Sequence, residues 1–292
     1  MCGIFGIISA GASAKGDLVK LATHAKQRGK DSSGLTFLRD DVYQIHRADD
    51  VIDTLLAATQ PYSMRFVMGH SRLITNGLGD NQPVLREDVC VIHNGIVVNH
   101  DEIWAKIGKV RELQIDTEVI PAIAAAHLAD GGAVEEIPGK VLALCKGVVA
   151  CAMALPRLGK LVLFSNNGSL YVGRKDGATY FASEAYPLSV VRCTDIQQIK
   201  HDGLVLDIPQ SDAPYAISNK AGRKTNLIPE LVLKSAEEKL LVYPKHDLRR
   251  CTKCVLPETM PYITFNDEGV CNYCTNYRKR NAPKPKQELF DL

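Results

Sequence analysis

The chain opens Met1-Cys2-Gly3-Ile4-Phe5-Gly6-Ile7-Ile8, a thiol set directly before an apolar run. The Ile-Phe-Gly-Ile-Ile stretch reads as a buried strand that holds the terminus rigidly, and the rest of the fold has to accommodate it. Positions 2 and 3 carry small side chains, so removal of Met1 would leave a terminal cysteine. Such a residue offers a thiol nucleophile and an α-amine of pKa about 8. The amine can serve the thiol as its base. The plain alternative is a cysteine that belongs to the core.

The strand pattern changes along the chain. Asp17 to Gln27 has helical spacing, with Asp17 as its N-cap. Ser33–Leu38 and Val42–His46 read as a hairpin, Val51–Ala58 as a short helix, and Arg65–Leu73 and Val89–His93 as strands. Asn99 or Asp101 caps a helix through Lys106, and Thr117–Leu128 and Glu135–Cys145 are further helices. Gly147–Leu155, Lys160–Ser165, Leu170–Arg174, Thr179–Ser183, Ile196–Lys200 and Leu204–Ile208 then follow as short strands between Asn-Gly, Asp-Gly and Pro turns. Strands, then helices, then strands with little alternation point to α+β, a layered sandwich of antiparallel sheets enclosed by helices. From Ser211 the strand signal fades into a Lys-rich connector, and a Cys-rich unit comes after it.

Composition excludes several classes. With 292 residues, 46% hydrophobic and 23% charged, the chain suits one large domain and a small appendage. A net charge of +2 argues against a nucleic-acid surface. Residues 217–292 hold 14 Lys/Arg against 9 Asp/Glu, which makes a mildly basic tail. No signal-peptide pattern stands at the N-terminus, and Gly147–Leu155 is too short to span a bilayer. A cytoplasmic protein is expected. Nine cysteines in that setting favour metal or catalysis over disulfides.

Four polar segments lie at element ends, where substrate groups are commonly held. They are Gln27-Arg28-Gly29-Lys30-Asp31-Ser32-Ser33-Gly34, Gly69-His70-Ser71-Arg72-Leu73-Ile74-Thr75-Asn76-Gly77, His93-Asn94-Gly95 and Asp116-Thr117-Glu118. Singly, Arg72 fits a surface ion pair, Asp116 a helix cap and Asn94-Gly95 a turn. Together, in this order, they resemble the class II glutamine amidotransferase domain over residues 2 to 208. That is an N-terminal-nucleophile hydrolase of four αββα layers, which releases ammonia from L-glutamine. The resemblance makes Cys2 the nucleophile with its own amine as base, and Asn94 with Gly95 the oxyanion hole. Arg72 and Thr75 then bind the α-carboxylate, with Asn76 beside them, and Asp116 binds the α-ammonium. The chemistry agrees: amide-to-thioester transfer needs donors aimed at the oxyanion, and an amino acid needs one cation and one anion. Where the glucosamine-phosphate synthase type has Trp and His, this chain has Leu73 and Asn76. Leu73, Asn81-Gln82-Pro83 and Asn99-His100 look more like the asparagine-synthetase branch.

The tail carries Cys251-Thr-Lys-Cys254 and Cys271-Asn-Tyr-Cys274, a C-x2-C-x16-C-x2-C spacing. Four thiolates so placed suit a structural Zn²⁺, with redox or iron–sulfur use as the alternatives. Arg250–Pro261 and Thr264–Cys274 also resemble the opening segment of N-acetyl sugar amidotransferases, ATP-pyrophosphatase-type synthetases. Their Ser-Gly-Gly-x-Asp-Ser loop is missing here, as is any Gly-x4-Gly-Lys-[Ser/Thr], so no ATP site is expected in this chain. The expected organisation is a glutaminase domain over 2–210, a connector over 211–249, a four-cysteine zinc ribbon over 250–280 and a tail over 281–292. The partner expected is an ATP-pyrophosphatase-type synthetase domain or subunit. Two rivals remain: a hydrolase of another amide, and a zinc-ribbon binding module with an inactive hydrolase domain.

Overall fold

β1 (Gly3–Ile8) is buried along its whole length. In the computed structural model it lies inside an eight-stranded sheet. Its neighbours on one side are β10 (Ala178–Ala182), β9 (Tyr171–Lys175) and β11 (Thr194–Gln198). On the other side come β4 (Phe66–Arg72), β2 (Ser32–Arg39), β3 (Val42–Ala48) and β13 (Ala216–Asn219). A five-stranded sheet runs β12 (Leu204–Asp207), β8 (Lys160–Ser165), β7 (Gly147–Leu155), β6 (Val89–Val97) and β5 (Val84–Arg86). The structure describes residues 2–75, 79–211, 214–220 and 247–278. Asn76, most of the 211–249 stretch and the 281–292 tail lie outside them. The chain divides into two units, parted near residue 230.

The period of two along each strand sorts the side chains into layers. Ile4, Ile8, Phe66 and Met68 from the larger sheet meet Cys90, Ile92, Ala152 and Leu163 from the smaller one, and this is the inter-sheet core. Phe5, Ile7 and Val67 point the other way, onto α1 (Lys15–Arg28), α2 (Ile52–Thr59) and α6 (Ala185–Val190). Val91, Val149 and Met153 pack under α3 (His100–Ile107), α4 (Val119–Ala129) and α5 (Ile137–Leu144). The result is helix, sheet, sheet, helix. Among the described residues, no helix is long and apolar enough to cross a membrane.

Several elements depart from the sequence reading. α1 starts two residues before Asp17, and Asp17 does not cap it. Its carboxylate instead takes Lys175 and the Tyr180 hydroxyl (3.0 Å for the latter), a long-range pairing that outweighs the local cap. The Asn99 side chain does not cap α3 either; it accepts from Lys146 N–H (2.7 Å) and donates to Leu144 C=O (3.0 Å). β6 continues through Asn94 and Gly95 rather than turning there. β13, inside the stretch read as connector, pairs parallel with β3, so the larger sheet is not wholly antiparallel.

The second unit is sparse. Among its described residues are two isolated bridges, Arg250 with Pro257 and Phe265 with Cys271, and one short helix, α7 (Asn272–Thr275). Its only buried side chains among the described residues are Cys251 and Cys271.

Candidate active site

Cys2 stands half-buried just before β1, on the face of the strand that looks toward the second sheet. Every backbone group around it is held. Its N–H donates to Asn94 Oδ1 (3.1 Å), its C=O accepts from Arg28 Nε (2.9 Å), and its thiol reaches Leu73 C=O (3.5 Å). Arg28 also pairs with Glu184. Gly3 lies so close to α1 that an added Cβ would sit 2.4 Å from Ala25 O, so position 3 admits no side chain. Burial pushes the Cys2 thiol above its ordinary pKa, and the Leu73 carbonyl contact and the Arg72 charge offset this only in part. A thiol in that state needs a nearby base before it can attack.

Facing Cys2 across the inter-sheet layer is Asn94, buried, with Nδ2 donating to none of the described residues. The next residue owes its role to strand register. Gly95 pairs with Val149, whose N–H and C=O both go to Asn166 (2.9 Å each). The pair is therefore not hydrogen-bonded, and the Gly95 N–H points off the opposite edge of β6. On that edge the Gln82 carboxamide holds the His93 N–H (2.6 Å) and C=O (3.0 Å), and Asp116 Oδ2 takes the Val97 N–H (2.7 Å). The Gly95 N–H lies between them without a ladder partner. A Cβ at Gly95, whose φ is +156°, would sit 1.8 Å from Val148 O, so only glycine fits.

Arg72 ends β4 and is buried, with its guanidinium donating to Asp80 C=O. Burial works against its charge, and Cys2, Asp116, Asp80 and Asp31 work for it. The turn Gln27–Gly34 crosses directly over this strand end. Asp31 N–H donates to Arg72 C=O (3.0 Å), and Asp31 Oδ2 accepts from Ile74 N–H (2.7 Å). Asp116 opens a 3₁₀ turn and is buried, but it caps no helix through its side chain. The cap reading of Asp116 is thereby replaced by a tie to β6. Thr75 is exposed at the rim, and Asn76 is outside the described residues.

Cys2, Arg72, Asn94, Gly95 and Asp116 thus come together from β1, β4, β6 and the turn before α4. Sequence reasoning gave no role to Arg28, Asp31, Asp80 or Gln82. Arg28, Asp31 and Gln82 sit in motifs already singled out, yet the contacts that place them in the site include backbone groups that no residue pattern displays.

In the second unit, the four cysteine sulfurs lie within 4.8 Å of one another. Cys251 and Cys274 are 3.9 Å apart, and Cys254 and Cys271 3.5 Å. A tetrahedron with Zn–S bonds of about 2.3 Å has S···S edges of about 3.8 Å. The N–H groups of Lys253 (3.4 Å), Cys254 (3.4 Å) and Cys271 (3.2 Å) point at Cys251 Sγ. Burial raises that thiol, but these donors outweigh it and bring it down to about 6. The residues fit a metal ion.

Residues 70–189 match the family described as a glutamine amidotransferase domain. A Zymomonas mobilis protein named glutamine–fructose-6-phosphate aminotransferase [isomerizing] is 30% identical over 199 residues, covering 65% of this chain and 32% of that protein. A Caulobacter vibrioides protein of the same name is 31% identical over 195 residues, covering 63% and 32%. The chain spans about a third of the length of these relatives. Among solved structures, glutamine phosphoribosylpyrophosphate amidotransferase from B. subtilis, complexed with ADP and GMP, aligns with a TM-score of 0.55. It is 21% identical, with 68% of this chain and 45% of that one covered, a likeness of fold.

Proposed function

We propose that this chain, whose residues 70–189 match a glutamine amidotransferase domain, hydrolyses L-glutamine to glutamate and ammonia at Cys2. The observation that carries the reading is the Cys2 N–H···Asn94 Oδ1 contact, which joins the nucleophile to the neighbouring donors. With Met1 removed, the Cys2 α-amine takes the thiol proton as sulfur attacks the glutamine carboxamide carbon. A C–S bond forms, and the oxyanion meets Asn94 Nδ2 and the Gly95 N–H. The C–N bond then breaks, the amine returns its proton to the leaving nitrogen, and ammonia departs. Water attacks the thioester and releases glutamate and the thiol. Arg72 holds the α-carboxylate, with Thr75 and Asn76 as the resemblance assigns them, and Asp116 holds the α-ammonium.

The fate of the ammonia follows from its chemistry. Free ammonia is protonated in neutral water, so an acceptor site has to lie close by. Leu73, Ile96, Val98 and Val148 expose apolar side chains near the mouth of the site, and Ile96 and Val148 are cross-strand partners. This rim supports docking of an ATP-pyrophosphatase-type synthetase domain or subunit, with asparagine-synthetase-like or sugar amidation as the reaction. The 292 residues contain neither phosphate-loop pattern, so activation of the acceptor is assigned to that partner. Cys251, Cys254, Cys271 and Cys274 would hold one structural Zn²⁺, which supplies folding energy to the ribbon and no chemistry to the glutaminase. We assign residues 2–210 to the glutaminase, 211–249 to a connector, 250–280 to the ribbon and 281–292 to a tail, in a cytoplasmic protein.

The test is a glutaminase assay on the full chain. Wild type should yield glutamate and ammonia, begin at Cys2 by intact mass, and consume no ATP. Cys2→Ala should abolish turnover while thermal unfolding stays that of wild type. Activity that survives in Cys2→Ala rules the reading out.

A further inference from the structure

His70 is fully buried, at 0% exposure. A loose backbone contact with His93, the residue before Asn94, ties the ring to β6, but neither ring nitrogen makes a well-formed hydrogen bond among the described residues. Buried polar side chains nearly always have one, so the exception calls for a cause. It sits on β4 between Ile4 of β1 and Gly34 of β2. Alternation puts it on the same face as Met68, in the inter-sheet core, and Arg72, in the site. Nothing else in that layer asks for an imidazole. Ile4, Met68 and Ile92 are all apolar, and a phenyl ring would fill the space without unmet polar atoms.

The surroundings leave the ring no room to turn away. At Gly34 an added Cβ would sit 1.9 Å from Gln82 O, so the Gln82–Pro83 backbone presses onto β2 beside His70. The Gln82 carboxamide in turn brackets His93, the residue before Asn94. Burial, helped by the charges of Arg72 and His93 and only partly opposed by the His93 backbone contact, pushes the imidazole down to about 3, so it is neutral at any working pH. A neutral ring offers one N–H and one lone pair to the layer that Cys2 faces.

We propose that His70 is a positioning residue for glutamine turnover, a polar wedge between the strand ending in Arg72 and the strand carrying Asn94, retained for the site and not for the fold. The proposal rests on the glutamine-hydrolysing reading. Structures tolerate such locally unfavourable groups where function requires them.

The experiment compares wild type, His70→Phe and His70→Gln in the full chain, reading thermal unfolding together with kcat and KM for glutamine. His70→Phe should unfold at or above the wild-type temperature, since two unmet polar atoms are gone. Its kcat/KM should nonetheless fall by about tenfold or more, with kcat carrying most of the loss, as small displacements of catalytic groups do. His70→Gln keeps a neutral donor and acceptor and should recover most of that loss. Wild-type kinetics in His70→Phe would overturn the proposal, as would equal loss in both variants. Unfolding of His70→Phe well below wild type would do the same, because the nitrogens would then serve the fold. A wild-type chain without glutaminase activity overturns the functional reading and this inference with it, whereas an active wild type with an unimpaired His70→Phe overturns only the inference.

Discussion

Residues 2–211 bury three apolar clusters around two sheets, whereas residues 247–278 bury only Cys251 and Cys271. In the first unit each buried Leu, Ile, Val or Phe contributes about 1.5–3 kcal/mol, and that sum sets against chain entropy. No such sum is available to the second. On the proposed reading, its order comes from a cation held among four cysteine sulfurs that lie within 4.8 Å of one another. On that reading one chain contains a region whose shape is set by solvent and a region whose shape would be set by an ion. The first should withstand chelation and the second should not.

The sharpest way to break that contrast is to remove the ion. Binding of a structural zinc by such units is worth about 10–16 kcal/mol, so a strong chelator or Cys254→Ser should abolish ordered structure in residues 247–278. Hydrogen exchange should show those amides losing protection while the first unit and its glutaminase activity stay as they were. Elemental analysis of untreated protein should give one Zn²⁺ per chain. Protected amides in metal-free protein, or an iron–sulfur absorption spectrum, would end the contrast as drawn.

A smaller effect, confined to the first unit, tests whether its site is separable from its core. On the proposed mechanism Asn94→Ala removes one oxyanion donor and should lower kcat by about 10²–10³-fold. It also deprives the Cys2 N–H of its acceptor, so intact unfolding behaviour beside that loss would mark the site as a passenger on the core. Smaller again is the substrate clamp. Arg72→Lys exchanges a planar fork for a point charge, and Asp116→Asn removes the anion. Each should raise KM for glutamine by about 10–100-fold, with kcat changed less. An unchanged KM in both would remove these residues from the substrate site.

What could be read in the sequence follows the range of the interactions concerned. β7 and β8 were legible end to end, because uninterrupted apolar runs between polar turns are a local signal. The resemblance brought Cys2, Arg72, Asn94, Gly95 and Asp116 onto one list, and the fold gathers them at one end of the sandwich. Asp17 was misread as a cap because its partners, Lys175 and Tyr180, lie far along the chain. β13 escaped notice since it is short, only part-buried and parallel to its neighbour. His70 gave no sign at all. Within a β-strand pattern a histidine looks the same whether its nitrogens are met or not.

The engagement of both Val149 peptide groups by Asn166 makes the aim of the Gly95 N–H a matter of parity. Every one-residue step along an antiparallel ladder reverses which edge a peptide faces. A single residue gained or lost within β6 would therefore turn the Gly95 N–H to the wrong edge and the Asn94 side chain to the wrong face together. Two residues would swing both back. Homologous chains should accordingly vary freely in length at the turn between β7 and β8, yet change length within β6 only in even steps.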